Sequence, residues 1–175
     1  MRDPAEPRLS LTEWVVLCVA VEKPTHGFAI AVQLGRGSAL GAVWHVARPQ
    51  VYRSVERLTA LGLIREVGRE PSRTGPVRQL CEVTLAGREL AGGWLRRPAR
   101  HGRDVRSELM VKLALLDRAG ADAGGLVRSQ RDQLAVIARA LDEQLGAAEG
   151  MEPILIMWRR EQMSASIRFL DVLDA

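Results

Sequence analysis

Apolar side chains recur along this chain at three-and-four spacing, with one short stretch of another character between residues 63 and 83. Ser10-Leu11-Thr12-Glu13 has the form of a capping box, a hydroxyl and a carboxylate three residues apart that satisfy each other's backbone N–H. It opens a first helix to about Val21, with Leu11, Val15, Leu17, Cys18 and Val21 facing inward; Lys23-Pro24 ends it. Thr25 is expected to cap a second helix that buries Phe28, Ile30, Ala31 and Leu34, and Gly35, Gly37 and Gly41 are expected to break it. A third helix starts at Arg48-Pro49, where the missing proline N–H costs nothing. Its apolar face is Val51, Val55, Leu58 and Leu61, and Gly62 stops it. Leu63–Val67 and Val77–Val83 are expected to be strands around a turn, Gly68–Pro76, rich in Gly, Pro, Ser and Arg. Thr84 then caps a fourth helix, Leu85 to about Arg96, closed by Pro98.

The second half is all helical in pattern. Asp104 to about Leu116 places Val105, Leu109, Leu113 and Leu116 on one face, and Leu126 to about Leu145 aligns Leu126, Gln130, Leu134, Ile137, Leu141 and Leu145. The last helix, Ile154 to about Leu173, has Ile154, Trp158, Gln162, Ala165, Phe169 and Val172 along one side and Met157, Met163, Ile167 and Leu170 elsewhere. A helix that is apolar on more than one face needs more than one partner. Two long helices with little core of their own predict a hairpin that packs on a second subunit, with Leu134, Ile137, Leu141, Trp158 and Phe169 as interface candidates. The expected architecture is mostly α with a small β-hairpin wing. It comprises a winged helix-turn-helix domain over 9–97 and a C-terminal helical dimerisation domain over 104–175.

Composition narrows the function. The chain has 175 residues, 47% of them apolar and 26% charged, which suits a folded chain of one or two small domains. The longest apolar run, Trp14 to Val21, is far too short for a membrane span, and Met1-Arg2-Asp3-Pro4 lacks the apolar core of a signal peptide, so a cytoplasmic location is expected. Cys18 and Cys81 sit in apolar patterns, as reduced packed thiols do, and His26, His45 and His101 form no metal-ligand spacing with them. No nucleophile–base set or phosphate loop occurs, so neither catalysis nor a cofactor is expected. Net charge is +4, but residues 46–103 alone carry 12 arginines against 5 acidic side chains, while residues 104–175 carry 9 basic and 12 acidic. A basic middle around a short exposed helix points to double-stranded DNA. Gln50 and Arg53 lie towards the start of the third helix, the end that reaches base edges. Arg57 is a candidate for a backbone contact, Tyr52 for a phosphate contact or packing against the wing, and Arg73 and Arg78 for entering a minor groove or clasping phosphates; Arg48 and Thr74 complete the candidate DNA-contact set.

Leu11-Thr12-Glu13, Thr25-His26-Gly27-Phe28, Val51-Tyr52-Arg53-Ser54-Val55-Glu56-Arg57-Leu58, Gly62-Leu63-Ile64 and Val83-Thr84-Leu85-Ala86-Gly87 follow one another in an order that resembles the PadR family of bacterial transcriptional regulators. The resemblance covers residues 9–97; the helical tail is similar to the longer subgroup in length and layout. It implies a homodimer that binds a palindromic operator, usually as a repressor, and is released by a small phenolic or drug-like effector. It also makes Trp94 the effector-site candidate, since an aromatic there lines a ligand pocket in some members. Two departures stand out. Cys81 occupies a position where the family usually has an aromatic, and Arg48-Pro49-Gln50-Val51 replaces a small-Pro-Gly-Ser segment that caps the reading helix. That second departure keeps another class of function open: a protein-interaction module, such as an anti-repressor, that has the fold without binding DNA.

Overall fold

Ser10 and Glu13 form the expected capping box. The Glu13 N–H donates to Ser10 Oγ, and the Ser10 N–H donates to Glu13 Oε2 at 2.6 Å. Helix α1 (Leu11–Val21) follows. The computed structural model describes residues 7–71 and 77–174. By contact the chain divides into two units, Met1–Trp94 and Leu95–Ala175. Every residue of α1 from Glu13 to Ala20 is buried, so this helix has no solvent face, whereas Leu11 and Val21 are only half-buried. The one-sided inward face expected from spacing is therefore replaced by burial all round, which suits a run of Val, Leu, Cys and Ala.

Helix α2 (Gly27–Gln33) is capped by His26 rather than Thr25: His26 Nδ1 accepts the Ala29 N–H at 3.0 Å. Thr25 instead exchanges backbone hydrogen bonds with Cys81, at 2.8 and 2.7 Å. Ile30 and Leu34 are buried, and Phe28 and Ala31 only half-buried. A short helix, α3 (Ala39–Val43), capped by Ser38, lies where the glycines were expected to interrupt the chain. Gly41 is part of it, because a Cβ there would collide with the Gly35 carbonyl and with Ser38 Oγ.

Helix α4 (Arg48–Ala60) starts at Ala47 with no side-chain cap and has proline in its first turn. Val51 and Leu58 are fully buried, and burial of each contributes about 2 kcal/mol. Leu61 stays exposed beyond the helix end, where Gly62 takes the left-handed conformation at φ +70. The hairpin is antiparallel, β1 (Ile64–Glu70) with β2 (Arg78–Val83), and a register shift at Val67 bulges β1. Thr84 accepts the Gly87 N–H and donates to the Gly62 carbonyl, so the start of α5 (Leu85–Arg96) is fixed to the end of α4.

In the second unit a 3₁₀ turn (Gly102–Asp104) and a π turn (Val105–Leu109) lead into α6 (Met110–Arg118). Buried polar side chains hold the segment before it. Gln130 accepts the Ala99 N–H at 2.6 Å and donates to the Ala99 carbonyl at 3.1 Å. Lys112, fully buried, donates to the Arg97 carbonyl at 2.7 Å and to Glu108 at 2.5 Å. Helices α7 (Gly124–Leu145) and α8 (Glu152–Leu173) form an antiparallel hairpin. Arg128–Asp174, Arg131–Asp171 and Asp142–Arg160 ion pairs fix its register along the seam.

The candidate interface residues divide between two faces of this hairpin. Leu134 and Leu141 are buried in the unit's own core with Ile156, Met163 and Leu170, and Ile137 packs on the same cluster. Ile154, Trp158, Gln162, Ala165, Phe169 and Val172, the stripe expected to share one side, are all exposed, Trp158 at 63% and Phe169 at 40%. Among the described residues no helix is long and apolar enough to cross a membrane.

Candidate nucleic-acid interface

Helix α4 sorts its side chains by face. Val51, Ser54 and Leu58 are buried, while Arg48, Gln50, Tyr52, Arg53 and Arg57 are exposed. Among the described residues, no hydrogen bond or ion pair engages the side chains of Gln50 or Arg53. Both side chains thus have unengaged donors among the described residues.

Arg57 is different. Its guanidinium pairs with the buried Glu13 carboxylate at 3.1 Å and donates to the Arg8 carbonyl at 2.9 Å. The expected backbone-contact role meets a competing one here: this side chain ties α4 to the start of α1.

His26-Gly27-Phe28 places three different contacts beside α4. His26 Nδ1 accepts as the helix cap, and its Nε2 faces Glu70 at 3.5 Å and Arg78 at 3.4 Å. Gly27 leaves room for the Tyr52 ring; a Cβ there would lie 2.9 Å from Tyr52 Cε1. The Phe28 ring carries two guanidiniums, with Arg48 Cζ 4.7 Å and Arg78 Cζ 4.6 Å from its centroid. Arg48 also lies 6.0 Å from the Tyr52 centroid. The start of α4 and the start of β2 thus meet over one aromatic side chain. The Thr25–Cys81 backbone pairing makes this possible by anchoring the start of α2 to β2. Residue spacing within α2 held no signal of it, because the partners are distant in sequence.

The remaining hairpin arginines are engaged within the sheet. Arg65 pairs with Glu82 at 2.6 Å, and Arg69 lies 3.8 Å from Glu66. Arg73 and Thr74, expected at the wing, lie outside the described residues. Cys81 stands opposite Glu66 in the ladder; burial and that carboxylate both push its thiol up, away from the reactive thiolate.

Trp94 is buried and stacks on Trp14, with centroids 5.1 Å apart and planes within 2°. One face of the effector candidate is therefore already covered by α1. The described residues include no group of three or more His, Cys, Asp or Glu side chains able to hold a metal ion.

A helical core, a helix with an exposed polar face and a β-hairpin directly after it define a winged helix-turn-helix fold, joined here to a C-terminal helical unit. Residues 16–92 match the profile of the Transcriptional regulator PadR-like family, which covers less than half of the chain. Solved structures similar to the chain include Bacillus subtilis PadR in complex with operator DNA, at 18% identity and a TM-score of 0.47, covering 93% of this chain and 97% of that one. The same protein with p-coumaric acid matches at 19% identity and a TM-score of 0.44, covering 100% and 97%. A Streptococcus mutans protein matches at 14% identity and a TM-score of 0.43, covering 91% and 95%. No curated protein sequence matches the chain.

Proposed function

We propose that this chain is a sequence-specific, DNA-binding transcriptional repressor that acts as a homodimer on a palindromic operator. The observation that carries the reading is the exposed face of α4, where Gln50 and Arg53 have no partner among the described residues, within a segment that matches a regulator-family profile. Gln pairs with adenine and Arg with guanine in the major groove. Arg48, Tyr52 and Arg78 flank them as phosphate-contacting groups, with Arg73 and Thr74 of the wing as further contacts.

The second unit supplies dimerisation in this reading. Leu134 and Leu141 hold the α7–α8 hairpin together, and the apolar stripe with Trp158 and Phe169 on α8 meets a second copy. Two-fold symmetry then demands a two-fold symmetric operator. A small planar aromatic effector releases the DNA, and Trp94 with its partner Trp14 is the contact proposed for it.

A gel-shift titration tests the reading, with a fragment of the promoter beside the gene and a scrambled duplex as probes. The wild type should prefer the promoter fragment. Gln50→Ala combined with Arg53→Ala should bind both duplexes alike, because the phosphate contacts remain. Equal binding of both duplexes by the wild type overturns sequence-specific recognition and favours a protein-interaction module. The effector arm uses p-coumaric acid as the probe. Quenching of Trp fluorescence together with loss of the shifted band supports it, and neither change at millimolar ligand removes it.

A further inference from the structure

The arginines of the first unit differ in the kind of partner that holds the guanidinium. Arg57, Arg65 and Arg88 are held by their N–H edges, on Glu13 and the Arg8 carbonyl, on Glu82, and on the Val21 carbonyl. Edge donors occupied in this way are not available to a phosphate or a base. Arg48 and Arg78 are held instead by an aromatic ring, both within 4.7 Å of the Phe28 centroid. A cation over a ring is attracted through the ring's quadrupole, an attraction that needs no hydrogen-bond acceptor on the partner. Arg48 makes no hydrogen bond among the described residues, and Arg78 has only the long 3.4 Å approach to His26 Nε2.

Two like charges on one ring repel each other. In a folded protein such a pair persists where the ring offsets the repulsion, and it concentrates two charges at one place. That place is the junction of the first turn of α4 with the first residue of β2. The ring therefore links the two elements that a winged helix presents to DNA. It also reduces the freedom of two long side chains before any ligand arrives, which lowers the cost of ordering them on binding.

We infer that Phe28 is a positioning residue for nucleic-acid recognition: its ring pre-orders Arg48 and Arg78 as one unit and sets the spacing between the reading helix and the wing. This rests on the DNA-binding function proposed above. Phe28 itself contacts no DNA, and its effect passes through the two arginines.

The test uses the full chain and a short fluorescein-labelled duplex carrying the sequence that the wild type enriches from a random pool. Phe28→Leu keeps the apolar volume and the net charge but removes the ring. It should weaken binding roughly fivefold to tenfold. The slope of log K against log salt should stay unchanged, because no charge is lost, whereas Arg78→Ala should lower that slope by about one. Phe28→Tyr should restore affinity to within about twofold of wild type. In a mutant cycle, Arg48→Ala and Arg78→Ala should be non-additive in the wild type and additive in the F28L background. Without DNA, the Arg48 and Arg78 Nε–H resonances of the wild type should lie upfield of those in F28L.

Unchanged affinity in F28L overturns the inference alone, provided that Gln50→Ala with Arg53→Ala still abolishes sequence preference. It is equally overturned if F28Y binds as weakly as F28L, which would make Phe28 a packing residue only, or if the Nε–H resonances do not differ. A wild type that enriches no sequence overturns both this inference and the proposed function.

Discussion

Arg57 of α4 and Glu13 of α1 meet at 3.1 Å, and Glu13 is at the same time the carboxylate of the capping box that opens α1. One buried carboxylate thus joins the first turn of one helix to the last turn of another. The orientation of α4 follows from this pair and from Val51 and Leu58 packed beneath it.

Arg57→Ala should consequently lower stability by about 1 kcal/mol, since Glu13 keeps its Ser10 partners while losing the cation. The salt dependence of DNA binding should not change. Arg53→Ala should do the reverse, with stability unaffected and sequence preference weakened. Urea melts and fluorescence anisotropy at several salt concentrations separate the two residues.

On α8 the stripe with Trp158 and Phe169 is exposed, whereas Leu134 is buried at 0%. Trp158→Glu with Phe169→Glu should leave the helical content intact and shift the sedimentation coefficient to that of a monomer. Leu134→Ala should cost about 3 kcal/mol by opening a cavity in the hairpin core. A double glutamate variant that still sediments as a dimer would move the interface elsewhere.

How far these features were legible in the chain depends on their range. Local devices were readable: the Ser10–Glu13 box, the proline in the first turn of α4, the stop at Gly62 and the cap at Thr84 each act within a few residues. Helix α3 was hidden by its glycines, because Gly41 is small to admit the Gly35 carbonyl rather than to break a helix. The two faces of α8 could not be told apart by period. Both are apolar, and only packing decides that Ile156, Met163 and Leu170 are the buried set. The sharing of Phe28 by Arg48 and Arg78 was invisible for a different reason. It depends on the Thr25–Cys81 pairing, which brings together segments far apart in sequence.

Gln130 binds both backbone polar groups of Ala99, which is fully buried. Gln130→Leu retains volume but strands that N–H and carbonyl, and should lower stability by about 2 kcal/mol. Lys112→Ala should cost about 3 kcal/mol, because it opens a cavity and removes the buried cation from Glu108 and the Arg97 carbonyl. Thermal melts of the full chain read both values.

Trp94 and Trp14 are each buried and stacked together, so Trp94→Ala should cost about 3 kcal/mol whether or not an effector binds. Trp94→Phe keeps a ring in place and is the informative variant. It should fold, and should bind a planar phenolic acid several-fold more weakly than the wild type by calorimetry if Trp94 is the effector contact. Equal affinity would assign the tryptophan pair to packing alone.

In the proposed function α4 recognises a particular sequence in double-stranded DNA. Genome-wide capture of sheared DNA by this chain at physiological salt is the decisive measurement. Enrichment of a few fragments that share a two-fold symmetric sequence, and loss of that enrichment in Gln50→Ala with Arg53→Ala, is the predicted result. Uniform recovery across the genome by the wild type would contradict it.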